Sequence, residues 1–111
     1  MESSAQAANP LVCNLGAMST AQRARHTQVI QHFFTHAVAE IEELPDGYAF
    51  RSDAANFLEA AEFVSLERLC CPFFNFTLSC EVASPSFRLS LGGSPEVKAM
   101  LYSWFVQRAS G

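Results

Sequence analysis

The hydrophobic spacing of this chain changes from helical to alternating at Pro72, and this change constrains the fold more than any other feature. Before it, Asp53 can cap a helix, and Pro72 ends that helix because proline disfavours helical geometry in the preceding residue. After it, apolar and polar residues alternate, which is typical of a half-buried strand. The helical face comprises Phe57, Leu58, Ala61, Val64 and Leu69, and the strand face comprises Phe74, Phe76, Leu78, Cys80 and Val82.

Cap and turn signals place the elements before this helix. Ser19 followed by Gln22 is a capping-box pattern, and the spacing after it predicts a first helix from about Thr20 to about Ala39. Pro45-Asp46-Gly47 predicts a tight turn because these residues favour turn geometry. We therefore expect a hairpin there, with strands at 40–44 and 48–52.

The last third of the chain shows strand, turn and helix-cap signals of the same kinds. A strand over 87–91 pairs with the alternating segment and ends at Gly92-Gly93. Ser94 and Pro95 then start a third helix as N-cap and first helical residue. The predicted order is α-ββ-α-ββ-α, an α+β fold in which an antiparallel sheet of about four strands carries helices packed on one face.

Chain length and composition bound the organisation. The 111 residues predict one compact domain that is large enough to fold on its own core. Residues 1–10 are rich in Ser, Ala, Gln and Asn without periodicity. We predict a disordered leader at 1–10 and a single α+β domain at 11–111.

Charge and hydropathy exclude two classes of partner. The formal net charge is −4, with 7 Lys+Arg against 11 Asp+Glu, whereas nucleic-acid affinity rests on neutralising phosphates with Lys and Arg. The longest apolar run, 99–102, is far short of the ~20 residues needed to cross a membrane, and the N-terminus lacks a secretory pattern. We expect no nucleic-acid partner, no membrane partner, a cytoplasmic location and therefore reduced cysteines.

The adjacent pair Cys70-Cys71 is the best candidate for a functional site. Neighbouring Cα atoms stand about 3.8 Å apart, below the usual ~4.4 to 6.8 Å of a disulfide, so a bond between these two cysteines would be strained. We expect them to remain a dithiol or to pair elsewhere. Two neighbouring thiolates favour soft ions over hard cations.

Other residues can complete this site. Cys13 precedes the first helix and can supply a third thiolate, which gives a metal site of Cys13, Cys70 and Cys71. His26 falls within the apolar face of the first helix and can serve as a further ligand or base, although a hydrogen-bonded core histidine is the plainer interpretation. The residues expected to surround the cysteines as supporting groups or pocket wall are His26, Glu67, Arg68 and Phe73.

The remaining cysteine, the other two histidines and the acidic cluster are interpreted as structural or surface residues. Cys80 lies on the apolar face of its strand and is predicted to be a core residue. His32 and His36 can in principle clamp zinc, but the pair lacks the other features of a zinc motif and an exposed face explains it. The acidic cluster at 40–43 is interpreted as a solvated strand face.

Three motifs resemble those of a group of small uncharacterised bacterial proteins over most of the chain. They are 11–13 with its early cysteine, the turn at 44–48, and above all the Glu-Arg-x-Cys-Cys-Pro-Phe element at 67–73. The resemblance implies that Cys13, Cys70 and Cys71 belong to the group's pattern, whereas Cys80 is individual to this chain. It carries no established activity.

The sequence supports three functional hypotheses. The first is a thiolate module, not an enzyme, that binds a soft metal or metalloid ion. The second is a small-molecule binding protein or thiol-chemistry enzyme, in which a pocket walled by Phe73, Phe74 and Trp104 presents one activated cysteine. The third is a homodimeric structural or interaction protein whose cysteines only pack. Whether the protein is an enzyme stays open at this point.

Overall fold

The structure, a computed structural model, describes residues 13–110, so the leader predicted at 1–10 lies outside the described residues. Its helices are α1 (Thr20–His32), α2 (Phe57–Cys70) and α3 (Pro95–Leu101), and its strands are β1 (Val38–Leu44), β2 (Gly47–Asp53), β3 (Asn75–Cys80) and β4 (Ser86–Gly92). There are short 3-10 segments at Leu15–Ala17 and Ala54–Asn56. A π-helical turn at Phe33–Ala37 extends α1, and another at Tyr102–Val106 extends α3. The second π-helical turn leads into a last helical turn, Gln107–Ser110. The predicted α-ββ-α-ββ-α order and the α+β class are confirmed.

The four strands form one antiparallel sheet in the order β1-β2-β4-β3. Its two central strands come from different hairpins and pair over their full length, from Gly47 opposite Gly92 to Asp53 opposite Ser86. At Gly47 a Cβ atom would collide with the carbonyl oxygen of Leu91, so this close approach requires glycine. The helices pack on one face of the sheet, as predicted.

The predicted cap residues make the hydrogen bonds that their patterns imply. Ser19 Oγ accepts from the Gln22 backbone N–H at 3.1 Å, and Gln22 Oε1 accepts from the Ser19 N–H at 2.8 Å. Asp53 caps the short 3-10 segment that leads into α2. Ser94 Oγ accepts from the Val97 N–H at 3.2 Å. These bonds satisfy backbone donors that helix starts otherwise leave unpaired.

An aromatic cluster centred on Phe34 joins the helices to the sheet. The Phe34 ring lies 5.1 Å from the rings of Phe50 in β2 and Phe63 in α2, and 4.6 Å from that of Phe105 beyond α3. All four side chains are almost completely buried. Because ring pairs of this kind add attraction to their buried area, this cluster fixes how α1, α2 and the last helical segment sit on the sheet.

The apolar face predicted for α2 is correct only in part: Phe57 and Val64 pack against the core, but two of its leucines do not. Leu58 and Leu69 are exposed, at 80% and 42% of their surface. The helix carries apolar residues on more than one side, so spacing alone could not select the buried side. That side also contains a carboxylate, which a hydrophobicity pattern does not anticipate. The buried residues of α2 are Ala60, Phe63, Leu66, Glu67 and Cys70.

The prediction that Cys80 is a core residue is also wrong, because its side chain is exposed. It pairs in register with the buried Phe87, so the alternation assigned the face of the strand correctly. However, Cys80 is the last residue of β3, which is an edge strand of the sheet. Val82, predicted to lie on the same face, falls beyond the strand and is 99% exposed.

The face of the sheet away from the helices is polar, which agrees with the interpretation of the acidic cluster at 40–43 as a solvated strand face. Glu40 pairs with Arg51 at 3.0 Å, and Glu42 pairs with Arg88 at 2.5 Å. Both glutamates are exposed, at 72% and 59% of their side chains. Ion pairs of this kind contribute little stability, but they keep this face solvated.

Candidate functional site

The adjacent cysteines lie where α2 ends. Cys70 is the last residue of the helix, and Cys71 leaves it with φ −127° and ψ 72° while its N–H still donates to Glu67 O at 2.7 Å. Pro72 follows and cannot continue the helix. Both cysteine side chains are buried, with 1% and 0% of their surface exposed. The sequence therefore places two thiol-bearing residues inside the domain at a helix terminus.

Cys13 lies next to Cys70 and Cys71, a contact that the sequence analysis proposed but that no spacing in the sequence could demonstrate. The N–H of Asn14 donates to Cys70 O at 2.7 Å, which anchors the segment before α1 against the end of α2. Cys13 and Cys71 form a disulfide with their Cα atoms 4.8 Å apart, inside the usual window. The expectation that all four cysteines are thiols is thus wrong, because the fold brings two distant cysteines within bonding range. Cys70 and Cys71 do not bond to each other, and their Sγ atoms are 3.6 Å apart.

Three cysteines and one glutamate form a compact group. The ligand atoms of Cys13, Glu67, Cys70 and Cys71 all lie within 4.8 Å of one another. We call these four residues the cysteine cluster. Three sulfur atoms at this spacing provide the soft donor set that zinc, copper(I) and similar ions prefer. The cluster can hold a metal ion through all three cysteines once the Cys13–Cys71 disulfide is reduced.

A buried hydrogen bond supports the cluster from α1. Nε2 of His26 lies 2.5 Å from Oε1 of Glu67, and the two side chains are only 11% and 2% exposed. The structure confirms that His26 is buried, and it gives the histidine a partner in Glu67. Buried carboxylates are stable only when hydrogen-bonded or paired, so His26 is what allows Glu67 to lie beside the cysteines.

The remaining thiol of the cluster is a weak acid. Burial and, to a lesser extent, the neighbouring negative charge of Glu67 together raise the pKa of Cys70 to about 11, although a backbone hydrogen bond lowers it. Cys70 is therefore a protonated thiol at neutral pH. A cation bound beside it would reverse both the burial penalty and the repulsion by Glu67, because coordination stabilises the thiolate.

A pocket of about 300 Å³ opens beside the cysteine cluster. Cys13, Glu67 and Cys70 line one side together with His26, whereas residues from the π-helical turn after α3 line the other. Cys71 is fully buried behind this lining. A ligand that enters the pocket is thus next to Cys13 and Cys70 and separated from Cys71.

Comparison of the chain with family models, curated proteins and solved structures finds no match. The protein's function is therefore inferred from the chemistry of the site. Among the described residues 13–110, no helix is both long and apolar enough to cross a membrane.

Two residues predicted to surround the cysteines lie outside the pocket. Arg68 is exposed, because one helical step of about 100° turns it away from the buried Glu67 beside it. Phe73 is half-buried and packs edge-on against Phe74, with ring centroids 4.9 Å apart. Of the three aromatic residues predicted to wall a pocket, only Trp104 lines it.

Sequence reasoning missed Ile30, Ser103 and Arg108 as pocket residues. Ile30 is one helical turn from His26 on α1, so the burial expected for that histidine was a usable signal. Arg108 follows Trp104 by four residues, and its Nε donates to Trp104 O at 3.4 Å. Nothing in the sequence indicates that the last helical turn faces the cysteines, since this depends on how the Phe34 cluster packs.

His32 and His36 lie on an exposed face of α1 and the π-helical turn that extends it. His32 hydrogen-bonds to Glu59 at 2.7 Å, and its ring lies 5.8 Å from that of His36. Both histidines are exposed, and neither belongs to the cysteine cluster. The interpretation of these two residues as a polar surface is confirmed.

Proposed function

We propose that the reduced protein binds one soft metal or metalloid ion through Cys13, Cys70 and Cys71. The observation that carries the proposal is the cysteine cluster, whose four ligand atoms lie within 4.8 Å of one another. A soft ion is favoured because three of the four donors are sulfur.

The spacing of the sulfur atoms is close to that of a chelate. Two thiolates on tetrahedral zinc, with Zn–S of about 2.3 Å, stand about 3.8 Å apart. The Sγ atoms of Cys70 and Cys71 are 3.6 Å apart, so this pair needs only a small adjustment. Cys13 and Cys71 form a disulfide and must first be reduced by a thiol reductant. Reduction frees both sulfur atoms to move to ligand distance.

The surroundings of the cluster favour a cation. Cys70 and Glu67 are buried next to each other, and the charge of Glu67 opposes ionisation of the thiol. An ion of charge +1 or more relieves this repulsion and displaces the thiol protons into solvent. We therefore expect proton release on binding, and a sulfur-to-metal charge-transfer band with ions that show one.

Native mass spectrometry of freshly reduced protein tests the proposal. We expect one equivalent of zinc, copper(I), mercury(II) or arsenite to be retained by the wild type and lost by Cys70→Ser/Cys71→Ser. Cys80→Ser is the matched control, because Cys80 is free, exposed and outside the cluster. Equal retention by the double serine variant would overturn the proposal. The same spectra report subunit mass, and a dimer without any retained ion would favour the homodimer hypothesis.

A second candidate function is thiol–disulfide exchange, favoured by the Cys13–Cys71 disulfide, of which Cys13 lines the pocket. A thiolate of a dithiol substrate would attack Cys13 Sγ and release Cys71 as thiolate; the second substrate thiolate would then displace Cys13, leaving an oxidised substrate and two protein thiols. The test is alkylation of reduced protein at neutral pH. Uniformly slow labelling of all four cysteines would exclude an activated thiol and this function with it.

A further inference from the structure

The pocket beside the cysteine cluster has two chemically different sides. Cys13 and Cys70 lie on one side, with the His26–Glu67 pair. The other side is mainly apolar and aromatic, formed by Ile30, Trp104 and Phe105, and Ser103 and Arg108 add a hydroxyl and a guanidinium group to it. A bare metal ion would contact only the first side. The second side has no role in binding such an ion.

The aromatic side is held in place by the fold. Phe105 is buried and stacks on Phe34 at the centre of the core. Trp104 packs edge-on against Phe74 and Phe105, with ring centroids 6.2 and 6.3 Å away, yet 37% of its surface remains exposed. Both residues belong to the π-helical turn Tyr102–Val106, a local feature that is often found at functional sites.

We propose that the ligand of this site is a soft metalloid or metal that carries one aromatic substituent, such as a monoaryl arsenic(III) compound. The inference rests on the proposed function and names its ligand class. The arsenic is held by Cys13 and Cys70, the two cysteines that line the pocket, and the ring lies against Ile30, Trp104 and Phe105. A pocket of about 300 Å³ is at the small end of the usual range for small-molecule sites, which suits one ring.

The binding step balances without an oxidant or reductant once the disulfide is reduced. A monoaryl arsonous acid has one carbon and two hydroxyl groups on arsenic. Its two As–O bonds break and two As–S bonds form, and the two thiol protons leave with the hydroxyl groups as two waters. Arsenic stays trivalent, and the carbon–arsenic bond remains intact.

Competition titration of reduced protein with phenylarsonous acid, methylarsonous acid and arsenite tests the inference. We expect the phenyl compound to bind at least about tenfold more tightly than the methyl compound, because only the phenyl ring buries apolar surface in the pocket. Trp104→Ala should reduce this preference to within about threefold. Tyr102→Ala is the matched control, since Tyr102 is an exposed aromatic residue on the same turn outside the pocket.

Fluorescence gives a readout that needs no variant. Trp104 is the single tryptophan of the chain, so its emission reports the pocket directly. The emission maximum should shift on binding phenylarsonous acid and stay in place on binding methylarsonous acid. Arsenite binding by Trp104→Ala at wild-type affinity would show that the cysteines of this variant remain correctly placed.

Cys71→Ser tests the assignment of the two sulfurs. We expect it to retain phenylarsonous acid, whereas Cys70→Ser should lose it. Loss in Cys71→Ser would overturn the assignment.

The outcomes separate this inference from the function on which it rests. Equal affinity for phenyl and methyl compounds, or an unchanged preference in Trp104→Ala, would overturn the inference while arsenite binding by the cysteines still stands. Failure of the reduced wild type to bind arsenite or either organic compound would overturn both.

Discussion

The two ends of the α1–α2 helix pair use the same residue types for opposite purposes. At the cysteine end His26 contacts Glu67, and at the far end His32 contacts Glu59. The first pair is 11% and 2% exposed, whereas the second is 55% and 20% exposed. Only the first pair lies beside the Cys13–Cys71 disulfide and the free thiol of Cys70.

This difference shows what a histidine–glutamate contact means in each setting. At the far end water solvates both groups, so the contact adds little. At the cysteine end both side chains are nearly buried, so either group alone would be a buried polar group without a partner. Burying the polar groups of His26 and Glu67 costs desolvation free energy. Such buried titratable groups are common at functional sites, which agrees with a site at that end.

The largest expected effect comes from the covalent link at the cysteine end. Cys13 and Cys71 are 58 residues apart in the sequence, and chain-entropy arguments give such a link about 4 kcal/mol of stabilisation. We expect Cys13→Ser to lose most of this under oxidising conditions, as measured by urea unfolding. With reductant present, wild type and variant should unfold at similar urea concentrations. Cys80→Ser is the control, and its oxidised stability should equal that of the wild type.

Glu67→Ala should have the next largest effect. It removes the partner of a buried histidine and leaves a cavity, so we expect the free energy of unfolding to fall by about 3 kcal/mol. Glu59→Ala, the corresponding change at the far end, should cost less than about 1 kcal/mol. Urea unfolding of both variants under the same redox conditions measures the contrast.

His26→Leu/Glu67→Leu sharpens this result. Replacing a buried pair by apolar residues is often neutral, so the double variant should recover most of the loss. Equal costs for Glu67→Ala and Glu59→Ala would contradict the distinction between the two ends.

A smaller effect is expected in the chemistry of Cys70. Its pKa of about 11, against a usual 9.0, lowers the thiolate fraction about a hundredfold at neutral pH. Because more basic thiolates are also more nucleophilic, the net loss in alkylation rate is about tenfold, before burial limits access. Unreduced protein, in which only Cys70 and Cys80 are free, should therefore label at Cys80 first. In urea the two should react at similar rates. Preferential labelling of Cys70 in the folded protein would contradict the pKa.

The elements of the fold were predictable because their signals are local. A capping box at Ser19, a turn at 45–47 and a Ser-Pro start at 94–95 each fix a boundary by bonds within a few residues. The strand order was not predictable, because the pairing of β2 with β4 is a contact between two hairpins. The buried side of α2 was missed for a related reason: Glu67 is buried only because His26, 41 residues away, reaches it.

The candidate site was predictable in its residues but not in its bonding. The motif at 67–73 singled out Cys70 and Cys71, and the position of Cys13 before α1 suggested a third sulfur. The disulfide depends on the backbone contact between Asn14 and Cys70, which no spacing in the sequence encodes. Cys80 shows the converse error. Its strand face was assigned correctly, but Cys80 is exposed because it is the last residue of an edge strand.

The smallest expected effect concerns an exposed ion pair across the same two helices, Arg25 with Glu62. The guanidinium of Arg25, which donates to both carboxylate oxygens at 2.8 Å, lowers the pKa of Glu62 below its usual 4.5. A lowered pKa stabilises the folded state above the unfolded value, and this contribution is lost as pH falls through the folded one. The stability difference between wild type and Glu62→Gln should therefore shrink below pH 4.5 in urea titrations. Because both side chains are well exposed, about 1 M salt should also shrink it, while leaving the loss caused by Glu67→Ala unchanged. A salt-sensitive loss at Glu67 would mean that water reaches the cysteine end, and the contrast between the two ends would then be one of degree.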